Sequence, residues 1–117
     1  MGVYRAPMKT LILASTLLAV ASPAFAGASN FILVNGTASG LAELSIRRSG
    51  TNDWKSLGAA PSAGAQGPMT FSDPDCAFDI RATVGGSPVV WTGVNLCGAK
   101  SVTLKRDATT GAWVDYD

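Results

Sequence analysis

From Cys76 to Val84 the chain alternates without a break. Cys76, Phe78, Ile80, Ala82 and Val84 fall on one side, and Ala77, Asp79, Arg81 and Thr83 on the other. A period of two marks a half-buried strand, because a helix would spread these apolar positions around its circumference. Gly85-Gly86-Ser87-Pro88 follows as a turn cluster, and Val89-Val90-Trp91-Thr92 runs back. Placing Val84 opposite Val89 sets Ala82 against Trp91, Ile80 against Gly93 and Cys76 against Cys97. Turn and cysteines thus agree on one register, with Gly93 giving room to its neighbour or marking a bulge.

The start of the chain says that these cysteines meet an oxidant. Residues 1–26 read as a secretory signal peptide. Arg5 and Lys9 supply the positive region, Leu11 to Ala21 an apolar run of 11 residues, Pro23 a break, and Ala24-Phe25-Ala26 a cleavage site. The run is shorter than the roughly 20 residues of a membrane span, so no anchor is expected once the leader is cut. Neither an Arg-Arg pair nor a Cys after the cleavage site points to twin-arginine export or a lipid anchor. Met8-Lys9-Thr10 makes a more compact start than Met1 and serves as an alternative one.

Cleavage leaves 27–117 as a single domain, secreted or periplasmic. In that compartment the two cysteines have only each other, and a Cys76–Cys97 disulfide is expected. Closing this loop is worth ~3 kcal/mol in the chain-entropy account. The rival reading, two reactive or metal-binding thiols, has no His, Lys-rich patch or CxxC motif behind it.

The rest of the mature chain is also strand-like. Asn30 to Val34 is an apolar first strand, followed by the turn-rich Asn35-Gly36-Thr37-Ala38-Ser39-Gly40. In Leu41 to Arg47 the residues Ala42, Leu44 and Ile46 share one face, and Glu43, Ser45 and Arg47 the other. Ser49 to Asp53 is a loop ending at Trp54. The Ala-, Gly-, Ser- and Pro-rich stretch from Ser56 to Pro68 reads as a flexible connection, and Pro68 to Ser72 as an edge strand. Lys100 to Lys105 and Ala112 to Tyr116 complete the set. No sustained 3.6-residue stripe occurs. The pattern predicts an all-β fold: a small antiparallel β-sandwich or partly open barrel of about six or seven strands with one disulfide. Its expected core is Phe31, Leu33, Leu44, Ile46, Phe71, Phe78, Ile80, Val84, Trp91, Leu96, Val102 and Leu104.

These landmarks carry a resemblance. Asn35-Gly36-Thr37 after an apolar strand, Ser49-Gly50 followed by Trp54, Cys76-Ala77-Phe78-Asp79-Ile80-Arg81, and Trp91 leading to Val94-Asn95-Leu96-Cys97 occur in order. Together they resemble a group of small secreted bacterial β-sandwich domains with an N-x-T turn, a C-x-[FY]-D-[IL]-[RK] strand and a W…[VN]-[DN]-L-C close. The likeness covers about residues 30–105. It departs at Lys55, where the group has Gly, and at Leu57, which stands for a longer Asp-Leu-Leu stretch. It implies export from a bacterium and this architecture, and carries no mechanism.

Composition narrows the chemistry. The full chain has 9 Lys+Arg, 8 Asp+Glu and no His. Without His there is no Ser-His-Asp or Cys-His nucleophile and no His-ligated zinc or haem. Loss of Arg5 and Lys9 leaves seven basic against eight acidic residues, too balanced to grip nucleic acid. Asp73, Asp75, Asn52 and Asp53 offer oxygens to calcium but lack the ligand ladder of an EF-hand, and Asp73-Pro74-Asp75 is explained as a turn. Asn35-Gly36-Thr37 fits a glycosylation acceptor but, in a bacterial host, reads as a turn. Asp79 and Arg81 share the outward face of their strand, where they pair with neighbouring charges or hold the loop around Trp54.

The candidate binding residues are the aromatics Trp54, Trp113 and Tyr116, of the kind that stack on sugars or anchor partners. No catalytic residue, metal or cofactor is assigned. The expected function is non-enzymatic: an exported binding or protein-interaction module whose partner is an envelope protein or a glycan. The alternatives are a secreted enzyme without His-based catalysis, and a hydrolase inhibitor acting through loop 49–54 or 58–68.

Overall fold

The computed structural model describes residues 27–117. The leader assignment and the choice of start codon concern residues outside that range. The eight strands are β1 (Phe31–Asn35), β2 (Leu41–Arg48), β3 (Lys55–Ser56), β4 (Gln66–Met69), β5 (Ala77–Val84), β6 (Ser87–Asn95), β7 (Ser101–Asp107) and β8 (Gly111–Tyr116). They form two four-stranded sheets in the orders β4-β1-β7-β8 and β3-β2-β5-β6. The sheets stack as an open sandwich and do not close into a barrel. Alternating apolar residues from both line one core, with Leu33, Ile80, Val94, Val102 and Leu104 fully buried. Trp91 also crosses the layers: its indole Nε1 on β6 donates to the Lys105 carbonyl on β7 at 2.8 Å.

The predicted core is buried apart from Phe71, which is partly exposed and packs edge-on against Phe31 and Phe78. Ala28, Met69, Ala82 and Val94 join it. One pairing departs from the antiparallel expectation: β1 lies parallel to β7, with Leu33 opposite Val102. The first strand enters between β4 and β7 rather than adding at an edge, a placement that no local pattern encodes.

The Cys76–Cys97 disulfide is present, with Cα atoms 5.0 Å apart. The register expected around it is not. Val84 pairs with Ser87, Ala82 with Val89 and Ile80 with Trp91. The turn consumes only Gly85 and Gly86, both at positive φ (56° and 86°), as a two-residue hairpin of the primed type requires. Ser87 and Pro88 belong to the strand, and Pro is tolerated there because β6 is an edge. Between Phe78 and Ile80 the ladder slips by one, and Phe78 pairs with Val94. Gly93, at φ 64°, sits in the resulting bulge. The tight turn and the bulge together bring Cys97 within reach of Cys76.

A second bulge lies in β2, between Ala42 and Ser45. It inverts the phase of the strand, so that Leu44 and Ile46 are buried as expected while Ala42 is exposed and Leu41 turns toward the core. Glu43 sits at this bulge with φ 53°, the sole non-glycine residue at positive φ among the described residues. The edge strand expected at Pro68–Ser72 lies two residues earlier, as β4. The stretch before it is no loose tether: Gly64 donates its amide to the Asn35 carbonyl, and Ala65 accepts the Asn35 amide.

Candidate functional site

The outer face of the β3-β2-β5-β6 sheet carries Asp79 and Arg81, two of the charged side chains that sequence reading singled out. β2 and β5 pair so that Arg47 stands opposite Asp79 and Ser45 opposite Arg81. All four alternate with the buried Ile46, Phe78, Ile80 and Ala82 and therefore face away from the core. Asp79 is nevertheless only 4% exposed. Its Oδ2 accepts Arg47 Nε at 2.9 Å, and its Oδ1 accepts the Ser49 hydroxyl at 2.8 Å and the amide of the bulged Gly93 at 3.0 Å. Burial by itself would favour the neutral acid. The Gly93 amide, the Ser49 hydroxyl and the Arg47 guanidinium outweigh it, and the carboxyl titrates below its ordinary range. Asp79 is thus a knot: it ties the start of loop 49–54 and the bulge of β6 to the centre of the sheet.

Trp54, at the end of that loop, folds back over the sheet. The Arg47 and Arg81 guanidinium groups lie over its ring, 4.4 and 4.0 Å from the centroid. Contacts of this kind are worth ~0.5–1 kcal/mol at exposed sites. The expected role of Asp79 and Arg81 in holding the Trp54 loop is therefore present in the geometry, through Ser49 on one side and the indole on the other. Arg47 is shared between Asp79 and Trp54, whereas Arg81 has no carboxylate within ion-pair distance among the described residues.

Beside Arg81 the same face opens into a cavity of about 430 Å³ lined by Glu43, Ser45, Arg81, Ala82, Thr83 and Pro88. The Glu43 carboxylate accepts the Thr83 hydroxyl at 3.1 Å through Oε1, and the Ser45 hydroxyl donates to the Glu43 carbonyl at 3.2 Å. Glu43, Ser45 and Thr83 were not singled out from sequence. A bulge at Glu43 is invisible there, because Leu41 to Arg47 alternates cleanly on paper.

No family model, curated protein or solved structure matches this chain.

The other proposed aromatics lie elsewhere. Trp113 and Tyr116 belong to β8, in the opposite sheet. They are 39% and 49% exposed, and an odd spacing puts them on opposite faces of their strand. The Tyr116 hydroxyl accepts the Asn95 amide at 2.9 Å and so bridges β8 to the edge of β6. Trp54, Trp113 and Tyr116 do not form one patch.

The acidic turn is paired within the protein. Arg48 bonds Asp73 and Asp75 at 3.1 and 3.2 Å, and Lys55 bonds Asp53 at 2.6 Å. Asp73 Oδ1 also accepts the Asp75 amide, the interaction that does most to hold its carboxyl below the ordinary value. A cavity of about 370 Å³ between these groups and Phe71 therefore has walls whose charges cancel in pairs. Asn35 is fully buried and saturated. Its amide nitrogen donates to the Ser39 and Pro61 carbonyls, and its oxygen accepts the Thr37 amide and hydroxyl. The N-x-T motif is a folded turn that also pins the 58–65 loop.

Proposed function

We propose that this protein is an exported, non-enzymatic binding module that works by surface contact, and that its contact surface is the outer face of the β3-β2-β5-β6 sheet around Arg81. One observation carries the reading. A guanidinium group oriented by an aromatic ring, with no carboxylate within ion-pair distance among the described residues, stands at the rim of a polar cavity whose size suits a small ligand or a protruding group of a larger one. The carboxyls with displaced titration, Asp73, Asp79 and Asp107, are all displaced downward. They serve as fixed acceptors for amides and guanidinium groups, which suits scaffolding better than proton transfer at neutral pH. The disulfide is compatible with an oxidising compartment, in keeping with secretion or residence in a bacterial periplasm. The sequence resemblance to a group of small secreted bacterial β-sandwich domains points the same way.

The test is retention of envelope components on the protein purified after export. Wild type is expected to retain a partner that Arg81→Ala loses, while Trp113→Ala, on the opposite sheet, keeps it. Equal retention by all three proteins would place the contact elsewhere.

A further inference from the structure

We infer that the cavity beside Arg81 binds a neutral, polyhydroxylated ligand, that is, a saccharide unit of an envelope or extracellular glycan. This rests on the binding-module reading and names its ligand class. Four features lead to it.

First, the cavity combines both hydrogen-bonding polarities at short range. Arg81 presents donors in a rigid planar fork. Glu43 presents a carboxylate whose Oε1 takes one bond from Thr83 and whose Oε2 takes none from the described residues. Ser45 and Thr83 commit their hydroxyl protons to the Glu43 carbonyl and carboxylate and leave their oxygens to accept. Vicinal sugar hydroxyls, each a donor and an acceptor, match that alternation.

Second, the charge balance selects against anions. A phosphate or carboxylate drawn to Arg81 would also meet Glu43 across the same cavity. A cation drawn to Glu43 would meet Arg81. An uncharged ligand with many hydroxyls satisfies both without either repulsion.

Third, Glu43 is held at φ 53° in a bulge, a conformation that disfavours a side chain of this kind. The bulge makes Glu43 the extra residue beside the Ala42–Thr83 pair, and from there its carboxylate accepts the Thr83 hydroxyl. Fourth, the Arg81 guanidinium rests on the Trp54 ring, 4.0 Å from its centroid, which holds the donor fork in place at the cavity rim.

The experiment titrates the exported protein with neutral oligosaccharides (chito-, cello- and manno-oligosaccharides) and with anionic ones (alginate and heparin fragments), followed by calorimetry and amide NMR shifts. At least one neutral series is expected to bind and to shift amides of Glu43, Ser45, Arg81 and Thr83. Glu43→Gln and Arg81→Ala should each weaken it about tenfold or more, as loss of a charge-assisted bond implies. Arg81→Lys keeps the charge without the fork and should rescue only part, while Trp113→Ala should change nothing. Retained near-UV circular dichroism shows that each variant is folded.

Binding of anionic series only, or neutral binding that Glu43→Gln leaves intact, overturns the inference. So does an Arg81-dependent envelope protein that no oligosaccharide displaces, an outcome that keeps the binding-module reading. Shifts confined to other faces overturn both.

Discussion

Asp79 and Glu43 project from the same outer face of one sheet, on adjacent strands, and both sit beside a bulge. Asp79 is nearly buried and accepts three hydrogen bonds, from Arg47, Ser49 and Gly93. Glu43 is exposed, strained and takes one, from Thr83. The bulge at Gly93 points a backbone amide inward at a carboxylate. The bulge at Glu43 turns a carboxylate outward over its neighbours. A buried acid with three of its roughly four acceptor positions filled has little capacity left for a ligand, and removing it strands its partners. An unsaturated exposed acid contributes little to folding and keeps lone pairs for something outside the protein. The difference separates the part of this face that holds the molecule together from the part available to act.

Replacing Asp79 should break the first half of that contrast most severely. Asp79→Ala leaves the Arg47 guanidinium, the Ser49 hydroxyl and the Gly93 amide without their acceptor, and should cost roughly 3–4 kcal/mol in urea unfolding. The pH dependence follows from the depressed carboxyl. Its contribution is complete above the unfolded-chain value of about 3.9 and is lost as pH falls through the lower folded value. Asp79→Asn should therefore flatten the acid limb of the stability profile, while leaving the parts due to Asp73 and Asp107, which are depressed in the same sense.

Removing the disulfide, as Cys76→Ser with Cys97→Ser, should cost about 3 kcal/mol by releasing the loop that it closes in the unfolded chain. The Asp79–Gly93 link lies on the same hairpin. If the two act as one unit, the triple variant will lose less or more than the sum, and a double-mutant cycle in urea reads the coupling.

Asn35 extends the comparison to the other sheet, as a second buried polar group, and one with every bond made. Asn35→Ala should cost about 2 kcal/mol and speed amide exchange at Gly64, whose amide donates to the Asn35 carbonyl, and at Ala65, whose amide donates to Ser62 within the same loop. Slow exchange there after the substitution would show that the loop is held by other means.

The smallest effect should carry the opposite sign. Glu43→Gly relieves a positive φ worth roughly 1–2 kcal/mol and gives back part of it to the freer unfolded chain. The variant should be about 0.5 kcal/mol more stable by urea unfolding, and it should lose ligand binding. A destabilised Glu43→Gly would mean that the carboxylate supports the fold, and the contrast with Asp79 would close.

What could be read before folding and what could not divide along the same line. The alternation in β5 and β7, the all-β class, the Cys76–Cys97 bridge and most of the core follow from residue order, because strand periodicity acts over neighbours two apart and because only one cysteine pairing exists. Trp54, Arg81 and Asp79 were legible as outward-facing groups on a loop and a strand. Their assembly over one ring was not. The bulge in β2 escaped detection, and the one in β6 was legible only as one of two readings of Gly93, since an extra residue in one strand is defined only by its partner strand. Also out of reach were the true hairpin register, the burial of an outward-facing Asp79 and the exposure of Ala42.

Sequence by itself determined that this chain forms short amphipathic strands around one apolar core with a single staple. Tertiary structure alone decided that β1 lies parallel to β7, that Asn35 reaches out of its turn to pin a distant loop, and that Glu43 and Arg81 share a cavity. The physical reason is range. Hydrophobic periodicity is set by covalent neighbours, whereas hydrogen-bond partners and charge environments come from segments that meet only when the sheets are built.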